Sequence, residues 1–301
     1  MKSAWYGQRE RGGAFALRLI SGIGLNLGRR ATLWLMWPIS LYFLLFAPDA
    51  RRSSSVFLRR VLQRPPSRME IWRHLRTFAV SLADRLYFSH GLTEGLRIEI
   101  EGEDELRRAM SSGRGCLLIG SHLGNFDAVR SCGLHLDVPL KILMQVEQSP
   151  AVMSVLYDRN KAWRESVIPL GKPDTFLRVH KALEEGALVA MLGDRAYRHE
   201  KTLSLPFLGA AAPFPAGPML LAAITGKPVV MFFGLYLDHG RYVVRFEALS
   251  NSNEFAGYGR DVIVKSLLSR YTARLEIQCR RAPYNWYNFF DFWHDAAISG
   301  T

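Results

Sequence analysis

The chain has 301 residues, 49% of them apolar and 22% charged, a composition that folds and that excludes disorder and low complexity. Mean hydropathy near zero is high for a freely soluble enzyme. No uninterrupted run of about 20 apolar residues occurs, which excludes a polytopic membrane protein. The formal charge of +12 is concentrated at one end: residues 1–76 carry 14 Lys and Arg against three acids, Glu10, Asp49 and Glu70. A basic leading segment has two common partners, nucleic acid and an anionic membrane surface.

The neighbouring residues favour the membrane. ATLWLMWPISLYFLLFAP, from Ala31 to Pro48, runs eighteen residues without a charge, carries Trp34, Trp37 and Tyr42, and is bracketed by Arg29-Arg30 and Arg51-Arg52. As a helix it would span about 27 Å, short of a hydrocarbon core of about 30 Å, and Pro38 bends it in the middle. Equal Arg pairs on both flanks give no asymmetry to orient a crossing. The expectation is a monotopic anchor lying in one leaflet, with both pairs at the same anionic phospholipid headgroups. A core helix that never meets lipid and a single crossing are the alternatives. Basic residues interleaved with long apolar ones do not form a polar patch, so no nucleic-acid partner is expected. The stretch GGAFALRLISGIGLNLG is broken by Arg18 and leads to no small-residue cleavage site, so no cleavable signal is expected. Cys116, Cys132 and Cys279 are odd in number and lack Cys-x-x-Cys spacing, which predicts neither a disulfide framework nor a zinc site and fits a reducing cytosol.

Residues 1–91 read as a basic, membrane-associated helical segment. In RMEIWRHLRTFAVSLADRLYFSHG, Trp72, Leu75, Ala79, Leu82 and Leu86 step by three and four along one face, and Gly91 supplies the stop. From Leu96 the period changes: Leu96, Ile98 and Ile100 alternate with charged residues as in a half-exposed strand. Short apolar runs follow at 116–121, 140–146, 166–170, 187–192 and 228–237, separated by helix-length or Gly- and Pro-rich stretches. That alternation predicts an α/β domain over 92–301, a mixed, mostly parallel sheet flanked by helices. Asp238-His239-Gly240 predicts a hairpin into RYVVRFEAL, and GRDVIVKSLLSRYTARLEIQCRR a final amphipathic helix.

In open α/β sheets, functional residues gather at the carboxyl ends of strands. CLLIG runs into Ser121-His122-Leu123-Gly124-Asn125-Phe126-Asp127, and ALVAMLG into Asp194-Arg195. A His leaving a buried strand, with a carboxylate five residues on, predicts a general base, His122, oriented by Asp127. Its alternative is a packing histidine at a strand end. Gly-Ser-His is not a nucleophile elbow, so the nucleophile is expected to come from the substrate. Backbone amides after His122 are the expected oxyanion donors. Asp194-Arg195 leads into a polar loop whose cations Arg198, His199 and Lys201 suit a phosphate or phosphopantetheine group, and Arg159 is a further anion-binding candidate. No metal is required by this chemistry.

GSHLGNFD resembles the His-x-x-x-x-Asp signature of the lysophospholipid and glycerophosphate acyltransferase superfamily, and in particular its bacterial branch of lipid A lauroyl and myristoyl acyltransferases. RGCLLIGSHLGN, LGDRAYRHEKTLSLPFLG, APFPAGPMLLAAITGKPVV and the closing APYNWYNFFDFW resemble that branch in the expected order, over roughly residues 90–293. Where many lipid acyltransferases show Phe-Pro-Glu-Gly, this chain departs with Leu-Gly-Asp-Arg, and it resembles members associated with aryl-polyene and related lipid pathways, so lipid A is not the first expectation for the acceptor. The resemblance implies a glycerol-3-phosphate acyltransferase-like fold and an acyltransferase in which His122 deprotonates the acceptor and Asp127 orients it. Asn125, Arg159, Asp194, Arg195 and Arg198 are the substrate-binding residues it suggests. It implies an acyl carrier protein or coenzyme A thioester as donor, no bound cofactor, a lipid acceptor, and a seat on the cytoplasmic face of a bacterial inner membrane. An acyl thioesterase or a non-catalytic lipid-binding protein of the same fold are the competing functions. The aromatic tail from Tyr284 to Trp293 is read either as a contact for the acyl chain or bilayer, or as a cap over the core.

Overall fold

The computed structural model describes residues 14–111, 113, 115–132, 138–145, 161–197, 200–252 and 254–293, without the side chains of residues 14–20 and 161–162. Three helices lead the chain: α1 (Ala14–Phe46), α2 (Pro48–Leu62) and α3 (Arg68–Ser89). Two non-helical residues set their joints. Gly28 takes φ +80° inside α1, a conformation that L side chains rarely adopt, and breaks the helix there. Ala47 precedes Pro48, whose ring is suited to the first turn of α2, and the two axes meet at 92°. A capping box starts α3: the Ser67 hydroxyl accepts from the Glu70 amide and the Glu70 carboxylate accepts from the Ser67 amide.

The remaining elements are β1 (Arg97–Glu101), α4 (Glu103–Met110), β2 (Cys116–Gly120), α5 (Phe126–Arg130), β3 (Leu140–Met144), α6 (Lys161–Ser166), β4 (Val167–Pro169), α7 (Thr175–Glu184), β5 (Leu188–Leu192), β6 (Thr202–Phe207), β7 (Ala210–Pro215), α8 (Gly217–Thr225), β8 (Val229–Asp238), β9 (Arg241–Ser250) and α9 (Arg260–Arg281). Seven strands form one sheet in the order β1-β9-β8-β2-β5-β3-β4. All its pairings are parallel except the β8–β9 hairpin, as expected for a mixed, mostly parallel α/β fold. The central strand β2 is buried at every residue, with Leu117 and Ile119 facing one layer and Cys116 and Leu118 the other. A second sheet, the β6–β7 hairpin, lies in the Gly- and Pro-rich stretch between the apolar runs 187–192 and 228–237, where no strand is predicted. It turns through Leu208 and Gly209, both at positive φ, and holds Pro206, Pro213 and Pro215, which a two-stranded ribbon with two free edges tolerates.

The leading helices are part of the core. Phe57, Leu58 and Val61 of α2 and Ile71 and Leu75 of α3 join the cluster built from β2, β5, β8 and α9. The apolar face of α3 is wider than the predicted stripe, because the helix is enclosed from several sides. One side meets α1 through Val80 and Ala83, and another carries His74, Thr77 and Ser81 inward.

Arg29, expected at lipid headgroups, instead turns inward and is mostly enclosed, with 12% of its side chain exposed. Just past the Gly28 break its Nε and Nη2 donate to Asp84 Oδ1 and Oδ2 at 2.7 and 2.9 Å, and the Tyr242 hydroxyl donates to the same carboxylate at 2.8 Å. Arg51 is also committed, donating to the Leu44 carbonyl at the end of α1 at 2.7 Å. Arg30 and Arg52 remain exposed. Burial raises the Asp84 pKa, and Arg29 and Tyr242 offset only part of that rise, so each group depends on the others. Asp84→Asn is expected to lower stability by about 2–4 kcal/mol, because the mostly enclosed Arg29 then lacks its counter-charge. Denaturant unfolding of the two proteins measures it; a loss under about 1 kcal/mol would contradict the assignment.

Candidate active site

The site is built by strand register. Parallel β2 and β5 pair Gly120 with Leu192, so the residues two positions beyond each strand, His122 and Asp194, emerge side by side. His122 Nδ1 lies 2.7 Å from Asp194 Oδ1, and the His122 amide donates to both carboxylate oxygens at 3.0 Å. The Asp194 carboxylate is fully buried and also accepts from Trp286 Nε1 at 3.0 Å and Asn288 Nδ2 at 2.9 Å. Every one of these groups is an N–H donor, which is the environment of an ionised carboxylate. Burial alone would raise the Asp194 pKa, but His122 through its ring and amide, together with neighbouring Arg195, outweighs it and holds the carboxyl down at about 2. The imidazole moves the same way for another reason: burial and then the Arg195 charge lower its pKa, against the pull of Asp194. The pair is therefore a neutral imidazole on a carboxylate, with Nδ1–H donated to Asp194 and the Nε2 lone pair left for a proton.

Asp127 is not the partner of His122. After His122 the chain turns at Gly124, whose φ is +84° and whose missing Cβ makes room for the Gly234 carbonyl of β8. Asn125 then caps α5, its side chain accepting from the Asp127 amide at 3.0 Å. That cap directs Asp127 toward α3, where Arg85 Nε donates to it at 2.8 Å. A carboxylate on the next helical turn is thus carried away from the ring, while one 72 residues on is brought to it by the sheet.

Asn125 is likewise a structural residue and not a free substrate contact, since its Nδ2 donates to the Ser81 carbonyl of α3 at 2.9 Å. Asp194, expected to hold phosphate, is enclosed by its four donor groups. Arg195 lies beside it, donating to Asn288 Oδ1 at 2.6 Å and to the Tyr287 carbonyl at 2.9 Å, with its guanidinium over the Phe290 ring. Arg159, Arg198 and His199 lie outside the described residues. The amides expected for an oxyanion are partly committed: Gly124 donates to the Asn285 carbonyl and Asn125 to the Gly234 carbonyl, at 2.8 and 2.7 Å. Among the described residues, no three His, Cys, Asp or Glu side chains converge as metal ligands.

Sequence reasoning missed the C-terminal segment as part of the site. Trp286 is fully buried, packs against Phe57, Phe207 and Phe292, and holds Asp194 through its indole N–H. The tail is therefore a cap over the core and the outer support of the site. Its two asparagines, Asn285 and Asn288, are the signal in the sequence: amides inside an aromatic run need buried partners. Behind Trp286 sits His74 of α3, fully buried, between the Ser54 hydroxyl and the Trp286 carbonyl, each at 2.9 Å. Burial lowers its pKa to about 4, so it is neutral, donating from Nε2 to the carbonyl and accepting at Nδ1.

Two outcomes follow. Asp194→Asn is expected to lower kcat by about 10²–10⁴, and in the unaltered enzyme the acid limb of kcat/KM lies below the usual histidine range; unchanged turnover in the variant would remove Asp194 from the mechanism. For His74, the unfolded chain binds a proton between about pH 6.5 and 4 that the native state does not. Stability therefore falls as pH drops through that window, by up to about 3 kcal/mol from this group. Urea midpoints at both ends of the window test it, and His74→Gln flattens the change.

The family model for bacterial lipid A biosynthesis acyltransferases matches residues 85–294, from within α3 to the end of the aromatic tail. A search of curated proteins finds no match.

Proposed function

Because the chain belongs to the bacterial lipid A biosynthesis acyltransferase family and is therefore an acyltransferase, we propose that it moves a fatty acyl group from an acyl carrier protein or coenzyme A thioester to a hydroxyl or amine of a lipid acceptor. In this reading His122 Nε2 takes the proton of the acceptor as its oxygen or nitrogen attacks the thioester carbonyl. The tetrahedral intermediate then expels the thiolate, which recovers the proton from the imidazolium. Asp194 fixes the tautomer and balances the transient positive charge. The observation that carries the reading is the 2.7 Å contact of His122 Nδ1 with a carboxylate already satisfied on its other sides, which leaves one ring nitrogen for chemistry.

The seat at the membrane is supported by α1. Beyond the Gly28 break, Thr32, Met36 and Ser40 are buried, while Trp34, Trp37, Leu41 and Leu45 are exposed at steps of three and four, with exposed Phe46 beside Leu45; Trp34 is 78% exposed. Arg30 and Arg52 flank this face and suit anionic headgroups. Among the described residues no single helix is long and apolar enough to cross a membrane; the bent pair α1–α2 passes that test only when both helices are counted together. We place the enzyme on the cytoplasmic face of the inner membrane, lying on one leaflet, where acyl thioesters and long-chain acceptors meet.

The direct experiment supplies radiolabelled acyl carrier protein thioesters to membranes and identifies the labelled lipid. His122→Ala is expected to abolish transfer while keeping vesicle binding, and full transfer by that variant would contradict the reading. Trp34→Ser with Trp37→Ser is expected to weaken sedimentation with anionic vesicles several-fold; undiminished sedimentation would remove α1 from the membrane contact.

A further inference from the structure

Arg76 of α3 is a cation without a counter-charge. Its guanidinium lies over the Trp37 ring of α1, 5.1 Å from the centroid, and 5.8 Å from that of Trp72, one turn earlier on its own helix. Its Nε is buried without an acceptor, and among the described residues no carboxylate or carbonyl receives any of its N–H groups. Arg73, three residues before, shows the usual arrangement: it too lies over a ring, that of Tyr284, but it pairs with Asp238 at 3.0 Å. An indole face attracts a cation without satisfying its hydrogen bonds, so the Arg76 guanidinium is held in place and left with donors to spare. Arg76 as a whole is only half-buried, so Nη1 and Nη2 reach the surface beyond the covered Nε. That planar fork fits two oxygens of a phosphate.

The two indoles are fixed. Their centroids are 4.7 Å apart, and Ser40 of α1 ties them, accepting from Trp72 Nε1 at 3.1 Å and donating to the Trp37 carbonyl at 2.9 Å. Trp37 is half exposed and shares its face with Trp34 and Leu41, so the cation stands at the rim of the aromatic face. A leaflet that takes up that face sets its headgroups at such a rim. We propose that Arg76, held between Trp37 and Trp72, seats the phosphate of one anionic phospholipid headgroup. The inference rests on the reading of α1 as a membrane contact, and it gives that contact a lipid preference. Arg30 and Arg52 are exposed cations that any anionic surface attracts, and salt screens that attraction. A phosphate seated against the indoles is shielded from salt. An acidic protein or a nucleic acid brings the charge but no apolar layer for Trp34, Trp37 and Leu41 to enter, which favours a lipid.

The test sediments the full chain with vesicles of phosphatidylcholine, whose phosphate is balanced by its own choline, and with vesicles holding about a third phosphatidylglycerol, at low salt and at about 0.5 M sodium chloride, where the screening length is about 4 Å. Wild type is expected to bind the phosphatidylglycerol vesicles at least about fivefold tighter even at the higher salt. Arg76→Gln is expected to reduce that ratio to about twofold or less with phosphatidylcholine binding kept, and Arg76→Lys to keep the low-salt preference but lose the salt-resistant part, because an ammonium is a hydrated point charge. Arg52→Gln is expected to lower the low-salt ratio alone. The proposal is overturned if the high-salt ratio survives Arg76→Gln in protein that melts at the wild-type temperature, or if Arg52→Gln lowers it as much. It is also overturned if Arg76→Gln weakens binding of acyl carrier protein and not of the vesicles. Should Arg76→Gln fail to fold, Arg76→Lys decides, and an unchanged salt-resistant ratio overturns the proposal. Wild type that sediments with neither vesicle overturns the α1 contact together with this site, whereas a ratio indifferent to Arg76 overturns this site alone.

Discussion

The register of two parallel strands is the constraint on which the site depends. Gly120 of β2 stands opposite Leu192 of β5, and both chains leave the sheet two residues later carrying His122 and Asp194. Nothing in either loop alone brings an imidazole against a carboxylate. The backbone hydrogen bonds of the sheet do so, and a slip of one residue would turn one of the two side chains to the opposite face. The neighbours of Gly120 and Gly193 enforce this closeness. A Cβ on Gly120 would run into the Phe232 ring, and the Gly193 amide donates to the Gly120 carbonyl at 2.9 Å.

Around that pair the molecule supplies buried partners for every polar atom that holds it. Trp286 and Asn288 arrive from the C-terminal segment, which is pinned by the Tyr287 amide on the His122 carbonyl at 2.8 Å and by His74 on the Trp286 carbonyl. His74 lies on α3 and its other partner, Ser54, on α2, so the leading helices and the C-terminal segment meet behind the site. The same helix α3 turns Asp84 toward Arg29 of α1 and Arg85 toward Asp127 of α5. One helix thus links the exposed aromatic face of α1 to the loop that carries His122. The face proposed to meet lipid and the histidine proposed as base are thereby joined through two ion pairs of α3, Asp84 with Arg29 and Arg85 with Asp127.

The strands were legible where apolar runs are short and bounded by turn residues, as in β2, β5 and the β8–β9 hairpin at Asp238-His239-Gly240. The hairpin β6–β7 was not, because Pro206, Pro213 and Pro215 read as loop residues and its two free edges relax the usual demand for backbone donors. At the site, His122 was legible from its place at a strand end, whereas its partner was not. Distance along the chain favoured Asp127, five residues away, but helix capping by Asn125 aims that side chain at α3. Asp194 required knowledge that β5 lies next to β2, and strand order is a property of the whole sheet. The same limit explains Arg29: a basic residue beside an apolar run reads as a lipid contact until Asp84, 55 residues on, is seen to receive it.

The account turns on which carboxylate holds the imidazole. Nitrogen-15 NMR of the histidine-labelled protein, with His122 assigned by substitution, reads the tautomer of that ring directly. The account predicts the Nδ1–H tautomer at neutral pH in the wild type and in Asp127→Asn, and its loss in Asp194→Asn. A ring that keeps this tautomer without Asp194 but loses it without Asp127 would contradict the account.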